Sequence, residues 1–347
     1  MDAKRPRRDA NPPMTVLKTP DELFEKVVGW PWGPPSYYTS RLFGVDVRMA
    51  YWDFGPQDAP ETLLLTHGEP SWSYLNRKLI GPLLDKGYRV VCFDQVGLGW
   101  SDKPAKREDV TYERSVAWNE DLLFNFLELR NITAVLQDWG GLIGLRVAAR
   151  NSEKYARLVL SNTCLPTDDK DFQRASDGTD YLGAGFYKWK KMAHDGFIAH
   201  GKLGFLLKKG SKGPSHGAAH EITEEEAAAY DLPFPTEEHL AAVHVFPELV
   251  PTPPDDETGR HQPVGGEANR ALWAVFEKWT KPVLLAFSDG DWVLGHCYKL
   301  WQDKCPGAAK VKGLTLEGDV GHFSQDGGGE QLVAAIIDLI EGRRNAL

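Results

Sequence analysis

The 347-residue chain has little cysteine: Cys92, Cys164, Cys297 and Cys305 are all it contains. None forms a CxxC pair, so neither a zinc site nor a disulfide framework is expected. Cys92 and Cys164 lie in or beside apolar strands and read as core residues. No apolar run approaches the ~20 residues of a membrane-spanning helix. Basic residues are in deficit, 40 Lys and Arg against 49 Asp and Glu, for a net charge of -9. That balance argues against nucleic acid or an anionic membrane as the main partner. The N-terminus carries Lys4, Arg5, Arg7 and Arg8, but Asn11-Pro12-Pro13 follows where a secretory signal would have an apolar core. Residues 1–20 therefore read as a disordered basic tail, and the protein as cytoplasmic. No internal repeat is visible.

With 42% hydrophobic residues, the chain can bury a large core, and one α/β domain with an insertion fits its length. Arg41 to Asp53 alternates roughly and predicts an opening antiparallel strand pair. Short apolar runs at 62–66, 89–93, 132–135, 156–160, 283–288 and 311–316 predict buried strands. Helical spacing appears at 75–86, 117–129, 142–150, 271–279 and 331–340. Strands alternating with helices predict a mostly parallel, doubly wound sheet. From Leu165 to about Glu257 the alternation fails and only short helical pieces remain, notably Ile222 to Tyr230. A helical block there would lie over the carboxyl ends of the strands, where ligands bind. The expected organisation is a core of residues 21–164 and 259–347 with a helical cap at 165–258.

The chain also lacks a serine where one would be expected. Leu136-Gln137-Asp138-Trp139-Gly140-Gly141 joins a predicted strand to a predicted helix. A small-residue turn of that kind is where the α/β-hydrolase fold holds its nucleophile on a strained elbow, usually a serine. Here the residue is Asp138. A carboxylate attacking an ester would give only an anhydride, but it can attack an sp3 carbon and form an alkyl ester. Carbon–halogen or epoxide cleavage is the implied chemistry. The fold's chain order of nucleophile, acid and His is met by Asp138, Asp291 and His322, each just past a strand. His322 would take a proton from water, and Asp291 would hold the imidazole in the required tautomer. Asp289 competes for the acid role, and Asn162 is a second orienting position. The backbone N–H groups of Trp139 and Glu69 would form the oxyanion hole.

A departing halide needs donors in a dry site, and indole N–H groups supply them. Trp139 follows the nucleophile, and Trp189 is the best candidate from the cap, although spacing alone places it in core packing. Gly97-Leu98-Gly99 reads as a structural turn, and Arg77 and Lys78 read as helix-surface charges.

With these residues in view, the chain resembles the haloalkane dehalogenases from about Leu42 to the C-terminal helix. His67-Gly68-Glu69-Pro70-Ser71-Trp72, Gly97-Leu98-Gly99-Trp100-Ser101-Asp102-Lys103-Pro104 and Gln137-Asp138-Trp139-Gly140-Gly141 look like family signatures. Gly185-Phe186 with Trp189, and Thr223-Glu224-Glu225-Glu226 through Pro233-Phe234-Pro235, are similar to the subfamily with a Trp–Trp halide pair. The resemblance implies Asp138 as nucleophile, His322 as base, Asp291 as acid, and Trp139 and Trp189 as halide donors. It also implies no cofactor and no metal, a small apolar halogenated substrate, a halide product, and a monomer or small homo-oligomer. The basic tail, Gly210 to His220 and Asp255 to Gly266 fall outside it. Epoxide hydrolases would need cap tyrosines such as Tyr181, Tyr187 or Tyr230, and fluoroacetate dehalogenases an arginine near Asp138. A non-catalytic binding protein of the same fold is the remaining alternative.

Overall fold

The computed structural model describes residues 14–172, 174, 178, 180–212, 222–253 and 265–344. The basic residues before position 9, and most of segments 210–220 and 255–266, lie outside the described residues. The strands are β1 (Val16–Leu17), β2 (Ser36–Ser40), β3 (Val47–Phe54), β4 (Thr62–Leu65), β5 (Arg89–Phe93), β6 (Lys103–Pro104), β7 (Ile132–Gln137), β8 (Tyr155–Ser161), β9 (Val283–Ser288) and β10 (Leu314–Leu316). The helices are α1 (Arg77–Leu84), α2 (Tyr112–Glu120), α3 (Asp138–Arg150), α4 (Gly183–His194), α5 (Leu203–Gly210), α6 (Glu224–Asp231), α7 (Ala241–Leu249), α8 (Gly266–Phe276), α9 (Tyr298–Lys304), α10 (Pro306–Ala309) and α11 (Ser324–Ile340).

One sheet has the order β10-β9-β8-β7-β4-β5-β3-β2. Neighbours from β10 to β5 run parallel, and β3 and β2 add an antiparallel edge. Every residue of β7 is buried. Such a strand must be apolar on both faces, which is why its sequence runs rather than alternates. Successive residues nevertheless serve different layers. Ala134 and Leu136 join the core shared with α2, α3 and α8, whereas Val135 joins the core shared with α1 and α11. The carboxyl ends of β4, β7, β8, β9 and β10 therefore share one edge, and Glu69, Asp138, Asn162, Asp291 and His322 follow those ends.

Local signals explain several boundaries. The Thr111 hydroxyl caps α2, accepting from Arg114 N–H. Thr223 and Glu226 close a capping box on α6. The expected strand pair is displaced: Leu42–Gly44 is a tight turn, and its partners are β2 and β3. Tyr-rich β2 was not anticipated, because its alternation is masked by Ser and Thr. Helix α11 begins at Ser324, seven residues before its predicted start at Gln331. Gly327, Gly328 and Gly329 are buried where α11 begins. Among the described residues, no helix is long and apolar enough to cross a membrane.

Arg77 corrects the sequence expectation. It is buried at the start of α1, not a surface charge. It pairs with Asp326 Oδ1 at 2.6 Å and Glu226 Oε1 at 2.9 Å, and Tyr230 donates to Asp326 Oδ2 at 2.6 Å. Lys78 donates to the Asp326 carbonyl at 2.8 Å. This network ties α6 to α1 and to the first turn of α11, four residues past His322. Removing one partner of a buried ionic group of this kind costs about 3–5 kcal/mol, because the other charge is stranded.

Candidate active site

Asp138 occupies the turn between β7 and α3 with φ of 47°, in the left-handed region that non-glycine residues seldom enter. Several contacts hold it there. Its own N–H donates to the Asn162 carbonyl at 3.1 Å, and the Thr163 hydroxyl donates to its carbonyl at 2.8 Å. Two following glycines allow the close approach. A Cβ at Gly140 would strike the His67 carbonyl and Thr66, and one at Gly141 would strike Thr163. Gly68 faces the Asp138 carboxylate so closely that a side chain there would overlap it.

The carboxylate is shared between two donors. Oδ1 accepts the Glu69 backbone N–H at 2.8 Å, and Oδ2 lies 3.3 Å from His322 Nε2. On the other side of the ring, His322 Nδ1 lies 3.0 Å from Asp291 Oδ2. Asp291 Oδ1 accepts the N–H groups of Val293 at 2.8 Å and Leu294 at 3.3 Å. Burial opposes charge on the imidazole, but the flanking Asp291 and Asp138 carboxylates outweigh it and push its pKa up to about 10. The resting site is then an imidazolium between two carboxylates.

The remaining sequence candidates fall elsewhere. Asp289 accepts from the N–H groups of Gly318, Asp319 and Val320, shaping the turn before His322 without touching the ring. Asn162 donates to the carbonyls of Gly321 and His322 at 3.1 and 2.9 Å, bracing the loop by its backbone. The Gly97-Leu98-Gly99 segment is a turn, with Gly99 against Asp94 and Trp72 and Gly97 against Ala242. His67 was read only as the first residue of the His67-Gly68-Glu69-Pro70 signature. It is fully buried, and burial lowers its pKa. Its Nε2 accepts the Gln95 N–H at 3.1 Å, so Nδ1 carries the proton and donates to the Gly68 carbonyl at 3.0 Å. A neutral histidine thus stiffens the backbone that presents the Glu69 N–H. Its signals in the sequence were its place just after the apolar run at 62–66 and its membership of that signature.

Two spaces border Asp138. The inner one is about 20 Å³, room for about one atom of halogen size, and is lined by Trp139, Leu142, Phe186, Trp189 and Pro247 among others. The outer one is about 180 Å³, with His322, Met192, Phe205, Trp292 and Phe323 among its walls. Glu69, Asp138 and Trp189 border both. The Trp139 ring packs edge-on against Tyr112 at 5.1 Å and tilted on Phe246 at 4.7 Å between centroids. Among the described residues, neither the Trp139 nor the Trp189 indole nitrogen has a hydrogen-bond partner. A larger groove of about 660 Å³ runs along β9 and β10, but it touches neither Asp138 nor His322. Tyr181 donates to Asp303 and Tyr230 to Asp326, and among the described residues no tyrosine and no arginine borders either space. Among the described residues no cluster of His, Cys, Asp and Glu could hold a metal ion.

Residues 61–328 match the family model described as the alpha/beta hydrolase fold. Over 327 residues the chain is 38% identical to a haloalkane dehalogenase of Psychrobacter cryohalolentis, covering 94% of this chain and 98% of that one. It is likewise 38% identical to haloalkane dehalogenase 1 of Mycobacterium tuberculosis over 325 residues, covering 93% and 98%. The tetrameric haloalkane dehalogenase DpaA of Paraglaciecola agarilytica superposes with a TM-score of 0.78 at 28% identity, covering 93% of this chain and 98% of that one. Near-complete coverage at this identity, on a sheet whose strand ends carry an aspartate elbow, makes this chain a member of the haloalkane dehalogenases within the α/β hydrolase fold.

Proposed function

We propose that the protein hydrolyses alkyl halides to alcohol, halide and a proton through an ester on Asp138. The observation that carries this is the run Asp138–His322–Asp291, with a carboxylate on the elbow where an acyl-transfer enzyme needs a hydroxyl. A carboxylate oxygen of Asp138 attacks the halogen-bearing carbon in line, the carbon–halogen bond breaks, and the halide takes the electron pair into the inner space. Trp139 and Trp189 donate their indole N–H groups to it.

Alkylation also prepares the second step. Esterified Asp138 no longer carries charge, so His322 loses one of the two carboxylates that hold its proton. His322 then gives up its proton to solvent, the proton that leaves with the halide, and the neutral imidazole accepts a proton from water as that water attacks the ester carbonyl. Negative charge develops on a carboxyl oxygen of Asp138. The Glu69 N–H, 2.8 Å from Oδ1, and the Trp139 N–H would receive it. The acyl carbon–oxygen bond to the alkyl group then breaks, the departing alkoxide takes the proton of the carboxylic acid so formed and leaves as the alcohol, and the Asp138 carboxylate beside a protonated His322 is restored. Asp291 fixes the ring and stabilises the imidazolium throughout. In this scheme residues 165–258 act as a cap over a core of residues 21–164 and 259–347, excluding water from the halide. A small homo-oligomer fits the reported tetramer of the Paraglaciecola relative. Buried unpaired cysteines fit a reducing compartment, so a cytoplasmic location belongs to the same proposal.

Free halide released from a panel of bromo- and chloroalkanes tests the reaction, with diol from styrene oxide measured alongside. Halide without diol is expected; diol without halide would move the assignment to epoxide hydrolysis. The halide site has its own test. In Trp189→Phe, bromide should bind about three- to thirtyfold more weakly, read by quenching of the remaining tryptophan fluorescence, since one donor to an anion is lost. Unchanged affinity would return Trp189 to a packing role.

A further inference from the structure

Gln137 ends β7 one residue before the elbow, and the scheme above gives its side chain no part. It is fully buried. Its amide nitrogen lies 3.2 Å from the His322 carbonyl and 3.3 Å from His322 Nε2, the ring atom that also stands 3.3 Å from Asp138 Oδ2. A backbone carbonyl only accepts, so the end of the amide turned to His322 is its NH2. One N–H goes to that carbonyl, and the other is left for Nε2. The amide oxygen is buried with no hydrogen-bond partner among the described residues, so no donor there favours the reversed orientation.

We propose that Gln137 is a positioning residue that holds His322 in the neutral form with its proton on Nδ1, the form that can take a proton from water once Asp138 is esterified. The proposal rests on the dehalogenase reading of the site and adds a second holder of the imidazole tautomer, on the ring nitrogen that Asp291 does not touch.

The reason lies in the donors and acceptors around the ring. Asp291 accepts the Nδ1 proton. At Nε2 an amide donor and a carboxylate acceptor compete. The donor is satisfied only by a lone pair, and the carboxylate only by an N–H. The charged and titratable groups facing the ring are Asp138, Asp291 and Glu69, and burial pushes the Glu69 carboxyl well above the usual carboxylate range, so it adds little charge. While Asp138 is ionised, the two aspartates outweigh the neutral amide and the ring stays an imidazolium. Esterification removes the Asp138 charge. A proton on Nε2 then faces the positive end of the amide dipole, which favours its departure to solvent. Water arriving at Nε2 takes the place of Asp138 Oδ2, while the amide stays on the His322 carbonyl.

The pH dependence of ester hydrolysis in the full-length protein tests this. A single turnover of a bromoalkane, followed by intact mass, gives the decay rate of the alkyl-enzyme, which rises with pH as His322 loses its proton. Gln137→Met keeps the length of the side chain and removes the donor. Its midpoint should lie about half to one pH unit above that of the wild type, slowing hydrolysis below the midpoint by about three- to tenfold, the effect of one neutral hydrogen bond. Gln137→Glu, which sets an acceptor against Nε2, should move the midpoint further up. A role in packing alone would lower the rate without moving the midpoint, and an unmoved midpoint in both variants would overturn the proposal. Titration of the His322 imidazole by NMR without substrate makes the same comparison independently of turnover. The wild-type midpoint, about 10, should rise in Gln137→Met, and no rise there would count equally against the proposal. Bromoalkanes that yield no halide with the wild type would reject the dehalogenase reading, while the NMR titration would still decide whether Gln137 opposes the proton on His322.

Discussion

Asp138→Ala should abolish halide release from bromoalkanes, with turnover falling by about 10⁴-fold or more, on the scale seen when a covalent nucleophile is removed. The loss is chemical, not a loss of folding. Asp138 sits at φ of 47°, and alanine there costs about 1–2 kcal/mol of backbone strain. The sheet, the α3 helix and the Asn162 and Thr163 contacts to the Asp138 backbone use no atom of its carboxylate. A folded, inactive variant is the expected outcome, checked by circular dichroism beside the halide assay. Asp291 cannot substitute: it lies beyond the imidazole, with Oδ1 occupied by the N–H groups of Val293 and Leu294. Halide release at the wild-type rate by a folded Asp138→Ala protein would sink the nucleophile assignment.

His322→Phe should separate the two steps. The attack by Asp138 needs no base, so one equivalent of halide should appear in a burst. Hydrolysis of the ester needs water activated beside it, and its rate should drop by about 10²–10⁴-fold. Intact-mass analysis after exposure to a bromoalkane should therefore show the protein heavier by one alkyl group, and Asp138→Ala should show none. Phe keeps the ring volume beside Phe323, with which the imidazole packs at 5.2 Å between centroids. It does remove the imidazolium partner from buried Asp291, so some stability is lost as well. Wild-type turnover without an adduct would remove His322 from the water-activating role. An adduct that hydrolyses at the wild-type rate would do the same.

How much of this was legible in the chain differs by element. Strands β4, β5, β7 and β9 were found almost to the residue, because strands covered on both faces must be continuously apolar. β2 and the β1–β6 pair escaped. Their pairing is set by partners far away in sequence, and their residues carry no period of their own. The start of α2 at Tyr112 was missed because the Thr111 cap, not the apolar spacing, decides it. Arg77 was read as exposed because a charge at a helix start is usually solvated. Only the arrival of Asp326 and Glu226 from 249 and 149 residues away makes its burial tolerable.

By itself the sequence determined the class of sheet, the chain order of Asp138, Asp291 and His322, and the choice of carboxylate over hydroxyl at the elbow. These are local matters: apolar runs, turn residues and the identity of one side chain are fixed by neighbours along the chain. The tertiary structure decided what meets what. It placed Asp291, and not Asp289, against His322, turned His67 into a neutral brace, set Trp139 and Trp189 against one small space, and buried Glu69 Oε1 with no partner among the described residues. Burial and pairing arise from contacts between distant segments, and those contacts set which groups are charged, which are free to bind, and how much space remains above the nucleophile.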